Sequence, residues 1–284
     1  MIPQNDLLQL LALALRAGTE ASEAIMKVYR TPFGYHNKAD GSPITIADRR
    51  SNDIVTEALK KTGITVISEE NRIAGYEERK NWEYFWLVDP LDGTKEFISR
   101  NGEFCINIAL MHRNQPLLGL IVAPTSDMAW WGVAGQRAFR INALPLLGEM
   151  DTDQVLRHST PLPHKSAENK IAVAVSRSHM EPQTLDLIDQ INKNRGEVTL
   201  KEKGSALKFC DLIEGRSDLY VRYSPTWEWD TAAGHALLLA HGGALFHISS
   251  HTPLQYNKAE LTNPGFIAFA RAADSAWYLS ELSF

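Results

Sequence analysis

The sequence predicts an α+β first part followed by an α/β second part. In the first part, apolar runs follow one another across short turns, which indicates antiparallel strands. In the second part, apolar runs alternate with helical patterns, which is typical of an α/β arrangement. Between them, residues 144–170 contain prolines and lose clear periodicity. We place the boundary there and predict an α+β domain over residues 1–155 and an α/β domain over residues 156–284.

A long helix is predicted to open the chain and to continue to about Tyr29. Its apolar run over residues 7–15 is too short to cross a bilayer. Asp6 precedes the run, no basic residue does, and no clear cleavage site follows, so we do not expect a signal peptide. The run fits a core-facing helix. A weak, peripheral association with the cytoplasmic face of the inner membrane stays open as an alternative.

The other elements of the first part are bounded by Gly, Pro and polar residues. In order they are a break at 31–34, a loop at 37–47, a helix at 48–60, a strand at 64–67, a charged irregular loop at 71–81, paired strands at 105–110 and 117–123 around a turn at 113–116, and strands at 128–133 and 138–141. Asp48 starts the second helix, where an aspartate is ordinarily a helix cap. Glu69 and Glu70 follow the strand at 64–67, and they either face solvent or point a carboxylate toward the next turn.

That next turn belongs to the sequence Trp-Leu-Val-Asp-Pro-Leu-Asp-Gly-Thr, residues 86–94. The apolar run predicts a buried strand, and Pro90 should end it near Asp89 because proline cannot continue a ladder. A short helix should follow, capped by Thr94 or Asp92. Carboxylates bind hard cations such as Mg²⁺, and amides at a helix start bind phosphate. Asp-Pro and Asp-Gly pairs are also common turn formers, so the stretch alone fits a plain turn as well.

The second part alternates strands with helices. Its predicted elements are a buried strand at 171–175 followed by a polar cluster at 176–179, a helix at 180–192, a short strand at 198–201, a helix opened by residues 204–206, a strand at 219–222, a helix at 231–240 stopped by two glycines, strands at 244–248 and 266–270, and a short helical tail.

Charge and cysteine usage narrow the class of partner. The 284 residues carry a net charge of −5 and no basic run, so binding to the backbone of long nucleic acid is not expected. A small anionic molecule stays open, because bound metal ions would supply positive charge. Cys105 and Cys210 form no CxxC pair, lie in apolar surroundings and predict buried thiols in a reducing, cytoplasmic setting.

Four carboxylates lie at predicted strand ends or helix starts: Glu69, Asp89, Asp92 and Asp230. Such positions meet at one edge of an α/β sheet. Two or three Mg²⁺ ions need shared oxygen ligands, and ions roughly 3.5–4 Å apart clamp both the attacking and the leaving oxygen of an in-line displacement. Asp89 would be the natural bridge, and the Leu91 carbonyl would add a backbone ligand.

A family resemblance rests on motifs that run from about residue 37 to residue 263. They lie at 38–40, at 42–45 with Asp48, at 68–70, 86–97, 101–104 and 176–179, at 204–205 with 207–210, and at 229–235. Together they resemble the inositol monophosphatase-like superfamily of Mg²⁺-dependent, lithium-sensitive phosphatases, and within it the bacterial 3′(2′),5′-bisphosphate nucleotidase type. The resemblance implies a layered αβαβα fold and an activity that converts adenosine 3′,5′-bisphosphate to AMP. It also implies conversion of the sulfated form to adenosine 5′-phosphosulfate.

The resemblance also assigns roles residue by residue. The implied metal ligands are Glu69, Asp89, Asp92, Asp230 and the Leu91 carbonyl. The implied proton acceptors for the attacking water are Asp48 and Thr94. The implied substrate contacts are Gly93 and Thr94 at the helix start, Gly204, Ser205, Lys208, His179 and Arg222 around the nucleotide and its second phosphate, and Glu69, Leu91, Asp92 and Asp230 at the reacting phosphate.

Alternatives remain for single residues. Lys208 and Arg222 are the cations available to a second phosphate, but either would also fit solvated surface charge. His179 fits a turn histidine slightly better than a ligand. Glu70 would lie behind the metal ligands, and Glu103 would only cap or pair.

Alternatives also remain for function. The first is an inositol phosphate phosphatase of the same superfamily, in which a carboxylate typically stands seven residues before the last metal aspartate. Tyr223 occupies that position here, beside Arg222, and suits a base and a phosphate better. The second is a non-catalytic nucleotide-binding protein, although no metal carboxylate is missing. Glu228 is an unexpected carboxylate that either raises metal affinity or faces solvent. The sequence leaves a monomer and a homodimer equally open.

Overall fold

The computed structural model describes residues 2–142, 151–162, 171–177 and 181–282. Its helices are α1 (Gln4–Tyr29), α2 (Ile46–Lys60), α3 (Tyr76–Arg79), α4 (Thr94–Ile98), α5 (Thr152–His158), α6 (Pro182–Arg195), α7 (Leu207–Ile213), α8 (Glu228–His241) and α9 (Ser275–Glu281). The predicted boundary stretch, residues 144–170, lies mostly outside the described residues.

The strands form two large sheets and two small pairs. The small pairs are β1 (Tyr35–Asn37) with β2 (Pro43–Thr45), and β13 (Thr226–Trp227) with β15 (Thr262–Asn263). The first large sheet contains, in spatial order, β3 (Thr65–Ser68), β4 (Tyr84–Asp92), β5 (Cys105–His112), β6 (Gln115–Ala123), β7 (Met128–Val133), β8 (Ala138–Asn142) and β9 (Ser159–Pro161). The second contains β11 (Val198–Lys203), β10 (Ile171–Ser176), β12 (Leu219–Arg222), β16 (Phe266–Phe269) and β14 (Ala244–His247).

Strand direction agrees with the predicted classes. In the first sheet β3 and β4 are parallel and every other pairing is antiparallel. In the second sheet β10 is parallel to both β11 and β12, whereas β16 runs antiparallel to its neighbours. The meander of the first part and the crossovers of the second were therefore visible in the apolar pattern.

Five layers alternate between helices and sheets. Helices α1 and α2 cover one face of the first sheet, α7 and α8 lie between the two sheets, and α6 and α9 cover the outer face of the second. Strand β4 shows how the sequence encodes this, because Trp86 and Val88 face α1 and α2 while Phe85 and Leu87 face α7 and α8. The predicted layered αβαβα fold is confirmed.

Two glycines let α8 lie directly on the first sheet. A Cβ atom on Gly119 of β6 would come within 2.3 Å of the Ala233 carbonyl oxygen and 2.8 Å of the Ala236 Cβ. A Cβ on Gly132 of β7 would lie 2.7 Å from the Ala240 Cβ. Helix α8 is the element that carries the last predicted metal aspartate, so this close packing fixes its position over the sheet.

The central strand does not end at Asp89 as predicted. Strand β4 continues to Asp92, and the pairing shifts between Asp89, opposite Asn107, and Asp92, opposite Cys105. Two residues on β4, Pro90 and Leu91, therefore lie opposite one residue on β5, Ile106, which is a β-bulge. Pro90 is accommodated inside the bulge, where no ladder bond is required of it.

Two helix starts also differ from the prediction. The N-cap of α2 is Thr45, and Asp48 occupies the third position of a capping box rather than the cap itself. The N-cap of α4 is Gly93, whose φ of 93° suits glycine. The Thr94 and Asp92 side chains, which we expected to cap α4, bind elsewhere. The charged stretch at 71–81, predicted to be irregular, contains α3 and the buried Arg79.

Helix α1 is core-facing, as predicted, with Leu7, Leu11 and Leu15 buried against the first sheet. Among the described helices, none combines the length and the apolar character that crossing a membrane requires. Cys105 and Cys210 are both buried and free, which confirms their assignment to the core.

Candidate active site

A cleft of about 430 Å³ collects most of the predicted site residues. Those that line it are Glu69, Asp89, Leu91, Asp92, Gly93, Thr94, Ser205, Lys208, Arg222 and Asp230. They come from the ends of β3, β4 and β12 and from the starts of α4, α7 and α8. The cleft therefore joins residues that are as much as 161 positions apart, between Glu69 and Asp230.

The parallel pairing of β3 and β4 brings Glu69 to Asp89. Ser68 lies opposite Val88 in the ladder, and the Glu69 amide donates to the Val88 carbonyl at 3.2 Å. Both strands consequently end at the same sheet edge, each with a carboxylate just beyond its last apolar residue.

The bulge fixes the backbone around Asp89. The Leu91 amide donates to Asp89 Oδ1 at 3.0 Å, and the Ser51 hydroxyl on α2 donates to the Pro90 carbonyl at 2.6 Å. These bonds hold Leu91 at the cleft wall. The bulge thus supplies one carboxylate before it, one after it and a backbone carbonyl between them.

Thr94 and Asp48 form the pair that the sequence predicted. The Thr94 hydroxyl donates to Asp48 Oδ1 at 2.9 Å and lies 3.3 Å from the Leu91 carbonyl oxygen. Asp48 Oδ2 accepts from the Thr45 amide at 2.7 Å and the Thr45 hydroxyl at 2.6 Å. Burial raises the pKa of Asp48, and the hydrogen bonds from Thr45 and Thr94 partly offset that rise. Asp48 therefore both completes the capping box of α2 and receives a hydrogen bond from the cleft.

A turn from the second part of the chain holds Asp92. Asp92 Oδ2 accepts from the Ala206 amide at 2.6 Å and from the Asn107 side chain at 3.1 Å. The turn is held in place by Glu103, whose Oε2 accepts from the Gly204 amide at 2.8 Å. Between these two anchors Ser205 adopts a φ of 50° and lines the cleft.

Asp230 enters the cleft from the first turn of α8. Its Oδ2 accepts from the Trp227 amide at 2.9 Å, so it also closes the start of that helix. A carboxylate in the first turn is favoured by the helix dipole.

The carboxylates raise one another's pKa values. Burial raises the pKa of Asp89 well above its usual range, and the charges of Glu69, Asp92 and Asp230 add to the rise. Burial, with Asp92 and Glu69, does the same for the pKa of Asp230. The pKa of Asp92 is also raised by burial, against the opposing effect of the Lys208 cation. Mutual repulsion of this kind is relieved when a cation binds between the groups.

The donor set fits Mg²⁺. Four carboxylates and one carbonyl give an all-oxygen environment, which suits a hard divalent ion. Over residues 2–142, 151–162, 171–177 and 181–282, however, no three His, Cys, Asp or Glu side chains form a ready-made metal cage. Oxygens of the predicted ligands already bind protein groups. Lys38 lies 2.8 Å from Glu69 Oε1, the Ala206 amide binds Asp92, and the Trp227 amide binds Asp230. An ion that binds here must compete with Lys38 for Glu69.

Lys38 is a site residue to which the sequence analysis gave no role. Its ammonium binds Glu69 at 2.8 Å and Glu70 at 2.5 Å, so Glu70 lies behind the predicted ligands as expected. Burial lowers the pKa of Lys38, but the charges of Glu69 and Glu70 and their hydrogen bonds to the ammonium together raise it. The signal that pointed to it was the Lys-Ala-Asp motif at 38–40, which carried no chemical reason by itself.

Both predicted cations face the cleft. The Lys208 ammonium is buried, donates to the carbonyls of Ser205 at 2.7 Å and Lys203 at 3.1 Å, and lies 5.0 Å over the Tyr220 ring. Arg222 Nε donates to the Ser224 hydroxyl at 3.1 Å. Although burial opposes it, the carboxylates and Tyr220 raise the pKa of Arg222. Neither residue is the solvated surface charge that was the alternative.

Tyr223 does not line the cleft, so the contact with a base that we expected of it is absent from the site. Neighbouring residues at a strand end point to opposite faces. Arg222 points to the cleft, and Tyr223 packs against the core between the second sheet and α6. Its pKa is raised by burial and by Asp186 and Glu181, which are residues on that outer side.

Glu228 does not face solvent, so that alternative was wrong, and its side chain does not line the cleft. Its side chain is fully buried, lies 2.5 Å from the Lys258 ammonium and accepts from the Asn257 amide at 2.6 Å. It therefore fixes the segment before β15 to the start of α8.

Gly204 and Glu103 form a positioning pair rather than a cleft wall. Gly204 lies outside the cleft lining, where a Cβ would lie only 2.7 Å from Glu96 Cγ. Glu103 also pairs with Arg177 through two bonds of 2.9 and 3.0 Å, as the pairing alternative predicted. Its pKa is lowered because Arg177 and the Gly204 amide outweigh burial. His179 lies outside the described residues.

The fold and the cleft together define a layered α/β protein with an oxygen-rich site suited to divalent ions and phosphate. The inositol monophosphatase family model matches residues 6–278. The chain belongs to the inositol monophosphatase family, as the sequence motifs predicted.

Individual relatives and solved structures resemble the chain over most of its length. The chain is 40% identical over 251 residues to the 3′(2′),5′-bisphosphate nucleotidase CysQ of Salmonella typhimurium, which covers 87% of this chain and 94% of the relative. It is 32% identical over 262 residues to CysQ of Haemophilus influenzae, with 91% and 90% covered. The crystal structure of CysQ from Bacteroides thetaiotaomicron superposes with a TM-score of 0.83 and 39% identity over 93% of this chain and 98% of that one. A Thermotoga maritima IMPase shares the fold, with a TM-score of 0.71, 18% identity and 94% of each chain covered.

Proposed function

We propose that the chain is a Mg²⁺-dependent phosphomonoesterase that removes the 3′-phosphate of adenosine 3′,5′-bisphosphate and releases AMP. The observation that carries the proposal is the 2.9 Å hydrogen bond from Thr94 to Asp48 beside four clustered carboxylates. A proton acceptor at the edge of a metal-binding cleft is what hydrolysis of a phosphate ester needs. The names of the Salmonella typhimurium and Haemophilus influenzae relatives support the nucleotide as substrate.

We assign the ion ligands to Glu69, Asp89, Asp92, Asp230 and the Leu91 carbonyl. When bound, Mg²⁺ would lower the pKa of a bound water and neutralise charge on the phosphate. We assign two or three ions from the family resemblance.

The protein's own groups handle the proton. In our assignment the Thr94 hydroxyl takes a proton from the attacking water while its own proton passes to Asp48 Oδ1. The raised pKa of Asp48 makes it a better acceptor than an ordinary carboxylate. The water oxygen then bonds to phosphorus, the bond to the ribose 3′-oxygen breaks, and solvent protonates that oxygen. Gly93 and Thr94, at the cleft wall, present amides to the phosphate.

The second phosphate requires a cation away from the carboxylates. Arg222 and Lys208 line the cleft, and a guanidinium suits a phosphate dianion. The 5′-phosphosulfate form would use the same contacts, so we include it among the substrates. We place the reaction in the cytoplasm, because the two thiols are free and buried.

A substrate panel tests the proposal. With Mg²⁺, phosphate release from adenosine 3′,5′-bisphosphate should exceed release from inositol 1-phosphate by at least about tenfold in kcat/KM. A reversed ratio would replace the nucleotide with a polyol phosphate as substrate. Arg222→Met should reduce the rate for the bisphosphate more than for 3′-AMP, which lacks the second phosphate.

An inositol phosphate phosphatase remains the second candidate. The observation that favours it is the position of Tyr223, which points away from the cleft and so provides no selection against a polyol. The same panel separates the two candidates.

A further inference from the structure

The cleft has one aromatic wall that the reaction itself does not use. Among the described residues, seven large apolar side chains are at least a third exposed, and of these only Trp227 lines the cleft. It is 41% exposed. Leaving an indole in water is unfavourable, since burial of apolar surface is worth about 25 cal/mol per Å². An exposed indole inside a polar cleft therefore needs a reason.

Trp227 is held rigidly in that position. Its backbone pairs with Thr262 between β13 and β15, and its amide donates to Asp230 Oδ2 at 2.9 Å. Its ring stacks on Trp229, with centroids 5.0 Å apart and planes inclined by 9°. Trp229 is itself 4% exposed, so the pair presents one indole on top of a buried one. The ring is oriented before any ligand arrives.

The surroundings of Trp227 indicate the kind of ligand. Arg222 and Lys208 lie in the same cleft and suit phosphate, while Asp230, one of the cleft carboxylates, lies in the first turn of the helix that Trp227 precedes. A ligand that matches the cations, the carboxylates and the Trp227 indole together needs a phosphate, a second anionic group and a flat ring. A polyol phosphate has no flat ring, whereas a purine nucleotide has one.

We propose that Trp227 is a specificity-determining residue, on whose exposed face the base of a nucleotide substrate stacks. This inference rests on the proposed function and adds the basis of its substrate selection. Stacking requires no particular base edge, so Trp227 would select nucleotides over polyol phosphates without choosing strongly among purines.

The test compares Trp227→Leu with Trp227→Phe. Leucine keeps an apolar side chain without a ring, and phenylalanine keeps a ring. Two substrates are used, adenosine 3′,5′-bisphosphate and 1,4-anhydroribitol 3,5-bisphosphate, which has the same phosphates and no base. Leu185→Ala, at a 53% exposed position on α6 away from the cleft, is the matched surface control.

For Trp227→Leu we expect kcat/KM on the adenosine substrate to fall by about 5- to 100-fold, mainly through KM, as expected for loss of one stacked base. The base-free substrate should change by less than about threefold. Trp227→Phe should retain most of the preference, and Leu185→Ala should match the parent. Equal losses on both substrates, or no loss on either, would overturn the proposal.

Binding separates this proposal from the proposed function. Calorimetry measures AMP against ribose 5-phosphate with Mg²⁺ present, and it needs no turnover. If the parent hydrolyses neither bisphosphate, the proposed activity fails, but tighter binding of AMP that Trp227→Leu abolishes still supports stacking. A parent that binds the two monophosphates equally would refute stacking even if hydrolysis is observed.

Discussion

The Thr94 hydroxyl donates a 2.9 Å hydrogen bond to Asp48, and the other oxygen of the same carboxylate accepts from the Thr45 amide in the capping box of helix α2. One side chain thus connects the start of a helix to the cleft. This double use means that replacing Asp48 changes stability and proton transfer together, so Thr94 is the cleaner position to vary.

Replacing Thr94 with alanine should remove the proton relay while leaving the α2 cap intact. We expect kcat to fall by about 10²- to 10⁴-fold, the usual contribution of a positioned proton acceptor. Thr94→Ser keeps the hydroxyl and should stay within about tenfold of the parent. Steady-state phosphate release measures both, and near-parental turnover in Thr94→Ala would remove the relay from the mechanism.

Glu228→Gln should affect stability and leave the Mg²⁺ requirement unchanged. The change leaves the Lys258 ammonium next to a neutral, buried amide, which should cost about 1–3 kcal/mol of unfolding free energy. Urea denaturation gives the stability, and a Mg²⁺ titration of phosphate release gives the requirement. If the Mg²⁺ midpoint shifted while stability did not, Glu228 would have to act on the ion.

Gly119→Ala should loosen the packing of α8 on the first sheet. The new Cβ would lie 2.3 Å from the Ala233 carbonyl oxygen, so helix and strand must separate. We expect a loss of about 1–3 kcal/mol in unfolding free energy, measured by denaturation. Gly34→Ala is the matched control, because nothing lies within 4 Å of its Cβ position. Equal stability of the two variants would contradict the close approach.

His235 predicts a pH dependence of stability. Burial lowers its pKa from 6.5 to about 3 in the folded protein. Between these values the unfolded chain binds a proton that the folded chain does not. Its contribution to stability is therefore complete above pH 6.5 and declines, by at most about 1.4 kcal/mol per pH unit, as the pH falls toward 3.

Denaturation at several pH values between 4 and 7 measures this slope. His235→Gln has no titrating ring, so its unfolding free energy should fall less steeply with acid than that of the parent. Its absolute stability should also drop, because the ring contacts the Tyr256 hydroxyl at 3.1 Å. Parallel slopes for the two proteins would show that His235 is protonated in the folded state.

The layers were predictable because buried apolar residues recur at a regular spacing in the sequence. The alternation of Phe85 and Leu87 with Trp86 and Val88 already contains both faces of β4, and parallel pairing of β3 with β4 places Glu69 beside Asp89. The same period of two, continued past the end of β12, separates Arg222 from Tyr223.

Contacts between residues that are distant in the sequence produce no periodic pattern. The sequence left Glu228 between the metal site and solvent because Lys258, its partner, lies 30 positions later, and a single charge does not reveal its pair. The bulge at Pro90 was hidden because register depends on the facing strand as well as on the proline. The role of Lys38 depends on how β1 and β2 fold toward Glu69, which no local pattern specifies.

The most direct test of the central claim is Mg²⁺-dependent phosphate release by the parent and by Asp89→Asn. Asparagine keeps the shape of the side chain and removes the charge between Glu69, Asp92 and Asp230, and circular dichroism verifies that the variant is folded. We predict that release from adenosine 3′,5′-bisphosphate requires Mg²⁺ and falls about a thousandfold or more in Asp89→Asn, which corresponds to several kcal/mol of lost transition-state stabilisation. Equal release with and without Mg²⁺, or undiminished release by folded Asp89→Asn, would contradict the account.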